Sequence, residues 1–348
     1  MINFKIKKTL VILLIIQSFA ATAQKTFTNP ILPSGADPWV IFNDGYYYYT
    51  HTTGKNLSIW KAKSIIAIGN AERKVIWTPP IGTMYSKQIW APELHFIQQK
   101  WYMYFAADDG DNKNHRMYVI ENNHKDPTKG EWIFKGQITD PTNKWAIDGN
   151  VFEHKGNLYM MWSGWEGDHN GQQNIYIAKM KNPWTIMGER VKISESEYDW
   201  EKHGDLGKNS NPPYVKVNEG PQFLSKDKKM FIIYSASGCW TDNYTLGMLS
   251  ANAEANPMIP SSWTKSPKPV FNAIQQNGVY AAGHNSFFKS SDGKEDWILY
   301  HANSEARQGC GGKRSPRVQR FTWDANGNPN FGTPLSTNER IMVPSGDR

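Results

Sequence analysis

The chain has 348 residues, of which 39% are hydrophobic, 13% aromatic and 20% charged, a composition that builds a sizeable core and excludes the disordered and fibrous classes. Its formal charge of +7 falls to +4 once Lys5, Lys7 and Lys8 are set aside with the leader described next. With no dense basic run elsewhere, that charge makes no case for nucleic acid or a membrane surface as partner.

Lys5-Ile6-Lys7-Lys8 precedes an apolar run from Thr9 to Ala20, and Ala21-Thr22-Ala23-Gln24 follows it. About twelve apolar residues are too few to span a bilayer, which takes ~20, and the flanks are those of a secretory signal peptide. Residues 1–23 are predicted to form it, with cleavage before Gln24. No Cys follows the cut, so a soluble secreted or periplasmic product is expected rather than a lipid-anchored one. Cys239 and Cys310 then sit in an oxidising compartment, where pairing is allowed.

Fifteen Trp, sixteen Tyr and fifteen Phe, with 28 Gly and 20 Pro, describe short aromatic strands joined by tight turns. A helical period of apolar residues is hard to find beyond Lys61 to Ile68. Five times, a polar residue opens a short apolar strand, a turn follows, and an aromatic-rich strand returns. The openings are Asp37 (DPWVIFNDGYYYYT), Glu93 (ELHFIQQKWYMYFA), Asp148 (DGNVFEHKGNLYMMWS), Glu219 (EGPQFLSKDKKMFIIYSA) and His284 (HNSFFKSSDGKEDWILYHA). Turns such as Asn43-Asp44-Gly45 and Ser291-Asp292-Gly293 have hairpin chemistry. A third β-like segment follows each hairpin: Ser58 to Ala62, Met117 to Glu121, Ile175 to Met180, Thr245 to Ser250 and Val318 to Trp323. Three strands cannot bury both of their faces alone, but packing the units around an axis does so. A single all-β domain over residues 24–348, a five-bladed β-propeller, is therefore predicted. A two-sheet sandwich explains the repeat less well, because its strands need not recur with a polar residue at one point of every unit.

In a propeller the first strand of each blade lines the central channel, so Asp37, Asp148 and Glu219 are expected to converge at one mouth. Any one of them alone reads as a structural carboxylate at a strand start. Three around an aromatic hollow repel one another, and burial raises the pKa of the least compensated. A protonated acid beside an ionised carboxylate is what glycoside hydrolysis needs.

The runs Gly35-Ala36-Asp37-Pro38-Trp39-Val40, Trp90-Ala91-Pro92-Glu93-Leu94-His95, Ala146-Ile147-Asp148-Gly149-Asn150-Val151-Phe152, Glu219-Gly220-Pro221-Gln222 and Gly283-His284-Asn285-Ser286-Phe287 resemble the ordered motifs of glycoside hydrolase family 43. The resemblance runs from about Asn29 to the C-terminus. It implies an inverting hydrolase in which Asp37 is the general base, Glu219 the general acid and Asp148 the carboxylate that tunes and orients the acid. An inverting enzyme would hold the base and acid roughly 6.5 to 9.5 Å apart. It implies no cofactor for the chemistry. His284 would help hold a hydrated calcium in the channel or be a histidine hydrogen-bonded there. Arg314 would grip sugar hydroxyls, with Arg317 as its competitor. Trp39, Trp90, Trp165 and Trp240 lie on or beside these motifs and are candidates to stack on a sugar face. On adjacent blades, Cys239 and Cys310 would form a disulfide if their Cα atoms come within ~7 Å.

Within the family, GHNSFF...DWILYHA...RSPRVQRFTWD followed by Gly327 to Pro334 is most similar to the α-L-arabinofuranosidase branch. That implies arabinan, arabinoxylan or their oligosaccharides as substrate. β-Xylosidase, endo-arabinanase and galactofuranosidase activities are the alternatives within the family. A non-catalytic carbohydrate-binding propeller is the alternative outside it.

Overall fold

The computed structural model describes residues 25–205 and 214–347, and the predicted signal peptide lies outside the described residues. Blade 1 comprises strands Trp39–Asn43, Tyr46–Thr50, Leu57–Ala62 and Arg73–Trp77. Blade 2 comprises Lys87–Ile97, Lys100–Asp108, Arg116–Asn122 and Ile133–Ile138. Blade 3 comprises Ala146–His154, Asn157–Trp165, Gln172–Asn182 and Thr185–Ser194. Blade 4 comprises Lys216–Lys226, Lys229–Ala236, Thr245–Asn252 and Thr264–Lys265, and blade 5 comprises Tyr280–Lys289, Asp296–Asn303, Ser315–Trp323 and Pro329–Asn330. Within each blade, consecutive strands pair antiparallel.

The first strands touch in a closed ring, 1 to 2, 2 to 3, 3 to 4, 4 to 5 and 5 to 1, so the fold is a five-bladed β-propeller. Hydrogen bonds knit this ring: Trp39 Nε1 donates to the Leu94 carbonyl, Asn150 Nδ2 to Glu93, the Gly220 N–H to Asp148, and Ser286 Oγ to the Pro38 carbonyl.

The period of two decides how blades pack. In Lys100–Asp108, buried from Trp101 onward, Tyr102, Tyr104 and Ala106 face the core shared with blade 3. Trp101, Met103, Phe105 and Ala107 face the core shared with blade 1. Every adjacent pair of blades shares such a core, which is why middle strands read as continuous aromatic runs.

The fourth strands escape the sequence reading because they are outer, short or polar; Arg73-Lys74-Val75 is exposed, and Thr264–Lys265 is two residues long. The helical period at Lys61 to Ile68 resolves into the end of a strand and a 3-10 helix, Ile65–Asn70.

Candidate active site

Each channel strand is broken where it reaches the mouth. In blades 2 to 5 the pairing skips a residue between Trp90 and Glu93, Ile147 and Asn150, Glu219 and Gln222, and Gly283 and Ser286. The residue after each skip begins, Ala91, Asp148, Gly220 or His284, has a left-handed φ of 42° to 57°, and Asp37 has φ 55° in blade 1. Such bulges re-aim side chains, and a non-glycine residue in this conformation costs on the order of 1–3 kcal/mol. The five openings read from the sequence are therefore not equivalent. Asp37, Asp148 and His284 share one position, whereas Glu219 precedes it by one residue and Glu93 follows it by two, because polarity marks a strand opening in the sequence while the bulge fixes its hairpin register.

The bulges bring Asp37, Asp148, Glu219 and His284 to one cavity of about 370 Å³, walled by Trp90, Trp145 and Trp240. Asp37 Oδ1 accepts from Arg314 Nη1 at 2.9 Å, and Oδ2 accepts from Thr52 Oγ1 at 2.6 Å. The Asp37 N–H donates to His301 Nδ1 at 3.0 Å, and His284 Nδ1 stands 3.5 Å from Oδ1. Burial alone would raise this carboxyl, but Arg314, the two imidazoles and the Thr52 hydrogen bond outweigh it and hold Asp37 well below the usual carboxylate range.

Glu219 and Asp148 behave oppositely. Glu219 Oε1 accepts from the Tyr244 hydroxyl at 2.8 Å, yet burial, reinforced by the charge of Asp37, pushes the Glu219 carboxyl up to about 7. Burial and then the charge of Glu219 push Asp148 well above its ordinary value, although its Oδ2 accepts the Gly220 N–H at 3.0 Å. When one proton leaves this pair, the charge left behind holds the other in place.

Trp90, Trp240 and Arg314 line the cavity, and Trp39 and Trp165 do not. Trp39 is turned into the blade 1–2 core, with its indole N–H on the Leu94 carbonyl at 2.8 Å and its ring 4.7 Å from His95. Trp165 lies behind Trp145, stacked on it at 4.7 Å and 8°. Arg317 is fully buried, donating to the Gly278 carbonyl and Ser304, so Arg314 alone of the two reaches the cavity.

Cys239 and Cys310 also line the cavity and form a disulfide with their Cα atoms 5.3 Å apart. Sequence reasoning missed Trp145, Thr52, Asn112, Asn170, Gln173, Tyr244 and His301. Trp145 adjoins the Ala146-Ile147-Asp148 motif and was within reach, whereas nothing local marks the others.

Among the described residues, Asp148, Glu219 and His284 bring one donor atom each within 4.8 Å of one another. The trio alone is a poor fit for calcium, because Asp148 Oδ2 and Glu219 Oε1 already accept from the Gly220 N–H and the Tyr244 hydroxyl and His284 offers a nitrogen, whereas a hard dication takes about six to eight oxygen donors. Nor does Glu93 supply an oxygen further along the channel, since Oε1 accepts from Gln222 and Oε2 accepts from Asn150 and faces His95 Nε2.

The sequence profile of Glycosyl hydrolases family 43 matches residues 27–329. This chain belongs to that family. Family 43 hydrolases need no cofactor for their chemistry. The chain is 39% identical over 325 residues to the extracellular exo-α-(1→5)-L-arabinofuranosidase of Streptomyces avermitilis, covering 91% of this chain and 65% of the relative. It thus spans just under two thirds of that relative. It is 37% identical over 289 residues to the enzyme of the same name from Streptomyces chartreusis, covering 81% of this chain and 84% of that one. The crystal structure of an α-L-arabinofuranosidase from Lactobacillus brevis superposes with a TM-score of 0.82 at 37% identity, covering 90% of this chain and 98% of that one.

Proposed function

We propose that this chain is an exported, inverting, exo-acting α-L-arabinofuranosidase that releases arabinose from arabinan or arabinoxylan side chains and oligosaccharides. The observation that carries the reading is the convergence of three carboxyls with opposed surroundings: the Arg314 guanidinium holds Asp37 ionised, while Glu219 and Asp148 are buried together, where mutual repulsion favours keeping one proton between them. Glu219 protonates the departing oxygen, Asp37 takes the proton of the attacking water on the opposite face, and Asp148 keeps Glu219 protonated and oriented. The names of the Streptomyces and Lactobacillus relatives support arabinofuranose as the sugar.

Exo action is supported by the names of the two Streptomyces relatives. Trp90, Trp145 and Trp240, lining the cavity beside the carboxyls and Arg314, supply aromatic faces on which a sugar ring can stack. Export rests on residues 1–23, on the extracellular relatives, and on a disulfide suited to an oxidising compartment.

A screen on nitrophenyl α-L-arabinofuranoside, β-D-xyloside and β-D-galactofuranoside, beside arabinan and arabinoxylan, tests the activity. Hydrolysis of the first with the product anomer inverted by NMR is the expected result, and no hydrolysis of any would leave a carbohydrate-binding propeller. Asp37→Asn, Glu219→Gln and Asp148→Asn should each lose roughly 10²–10⁴-fold in turnover on arabino-oligosaccharides while staying folded. Wild-type turnover in Glu219→Gln would refute its role as acid.

A further inference from the structure

Tyr244 is fully buried, and its hydroxyl meets Glu219 Oε1 at 2.8 Å. Blade 5 fixes the ring. It stacks parallel to His301, at 5.7 Å and 5°, and a Cβ on Gly283 would come within 2.3 Å of its Cε1, so glycine leaves the only room it has there. Its hydroxyl donates to Glu219, and the neighbouring Ser235 Oγ accepts the His284 N–H at 2.7 Å.

We infer that Tyr244 is a positioning residue: by donating to Glu219 Oε1 it makes that oxygen an acceptor and leaves Oε2 to carry the proton to the departing group. The inference rests on the reading of Glu219 as general acid. A carboxylic acid has one O–H and one carbonyl oxygen that only accepts, so a hydroxyl donating to Oε1 favours the proton on Oε2. Without Tyr244 the proton partitions between both oxygens, and one of them faces away from the sugar. The same ring stacks on His301, whose Nδ1 accepts the Asp37 N–H, so acid and base are braced against one slab.

Tyr244→Phe keeps the ring and removes the donor. The test compares Tyr244→Phe, Glu219→Gln and the double variant on arabinobiose, whose leaving group needs a proton, and on 2,4-dinitrophenyl α-L-arabinofuranoside, whose leaving group does not. Expected for Tyr244→Phe is a loss of roughly tenfold in kcat on arabinobiose, under about threefold on the dinitrophenyl glycoside, an unchanged KM and an unchanged thermal midpoint. The double variant should be no slower on arabinobiose than Glu219→Gln, because Tyr244 acts through Glu219. Equal losses on both substrates in Tyr244→Phe, or multiplying losses in the double variant, overturn the inference. If Glu219→Gln also loses equally on both substrates, the assignment of the acid falls with it; if Glu219→Gln discriminates and Tyr244→Phe does not, only the tyrosine's role is refuted.

Discussion

Arg314 Nη1 donates to Asp37 Oδ1 at 2.9 Å, joining residues 277 positions apart. The pair keeps Asp37 ionised, but it also makes it a weak base. A sugar hydroxyl that draws the guanidinium away would restore the carboxylate's affinity for a proton at the moment water is to be activated.

Arg314→Gln tests this coupling. As the proposed base, Asp37 must be ionised to act, and Arg314 lowers its pKa, so the wild-type kcat/KM should hold far into the acid range. Removing the guanidinium lets the pKa rise, and the acid limb of the profile should move to higher pH. KM should rise as well, since the residue lines the cavity. An acid limb unmoved in Arg314→Gln would show that the ion pair does not set the ionisation of Asp37.

Glu219, as the proposed acid, should set the other limb. In that role it acts while protonated, so kcat/KM on an unactivated arabinoside should fall as pH rises through about 7. The same group affects stability. Its folded pKa lies above the ordinary 4.5, so the folded state holds the proton more tightly, and stability is lost as pH rises through the folded value. Glu219→Gln is free of that loss. It should unfold about 1–3 kcal/mol harder than wild type at about pH 8, with the difference closing near pH 4, as read by urea unfolding at both pH values.

Two tryptophans that look alike in sequence should part company on substitution. Trp240→Ala removes cavity wall and should raise KM severalfold with little change in the thermal midpoint. Trp39→Ala removes a hydrogen bond to the Leu94 carbonyl and a ring from the blade 1–2 core, and should cost about 3–5 kcal/mol of stability. Parallel melting and kinetic measurements distinguish the two.

The Cys239–Cys310 disulfide spans 71 residues and carries Trp240 beside one end. A second tie, from the Arg307 N–H to Asp242 Oδ1 at 2.8 Å, joins the same two loops. Replacing both cysteines by alanine should cost about 2–4 kcal/mol of stability through the unfolded chain and raise KM by loosening the rim, with a smaller effect on kcat. Reduction of the wild type should reproduce both effects.

The fold was legible because its signal is periodic. Aromatic strands recur with hairpin turns between them, and a strand buried on both faces must be apolar throughout, so five blades could be counted without coordinates. The carboxylates were legible for a related reason, since a polar residue opening an apolar strand is conspicuous. Their exact places were not. Glu93 looked like a counterpart of Asp37, but the bulge begins at Ala91, and the extra residue turns Glu93 into the channel network with Asn150 and Gln222.

What residue order alone determined is therefore the strand period, the turn chemistry and which acids stand near strand starts, because these are properties of neighbours along the chain. Only the closed ring decided which acid is held ionised, which tryptophans line the cavity and which arginine reaches it. Those outcomes depend on contacts such as Tyr244 with Glu219 and Arg314 with Asp37, made between blades by residues whose local sequence is unremarkable. Burial and partner charge set a pKa, and neither exists until the blades close.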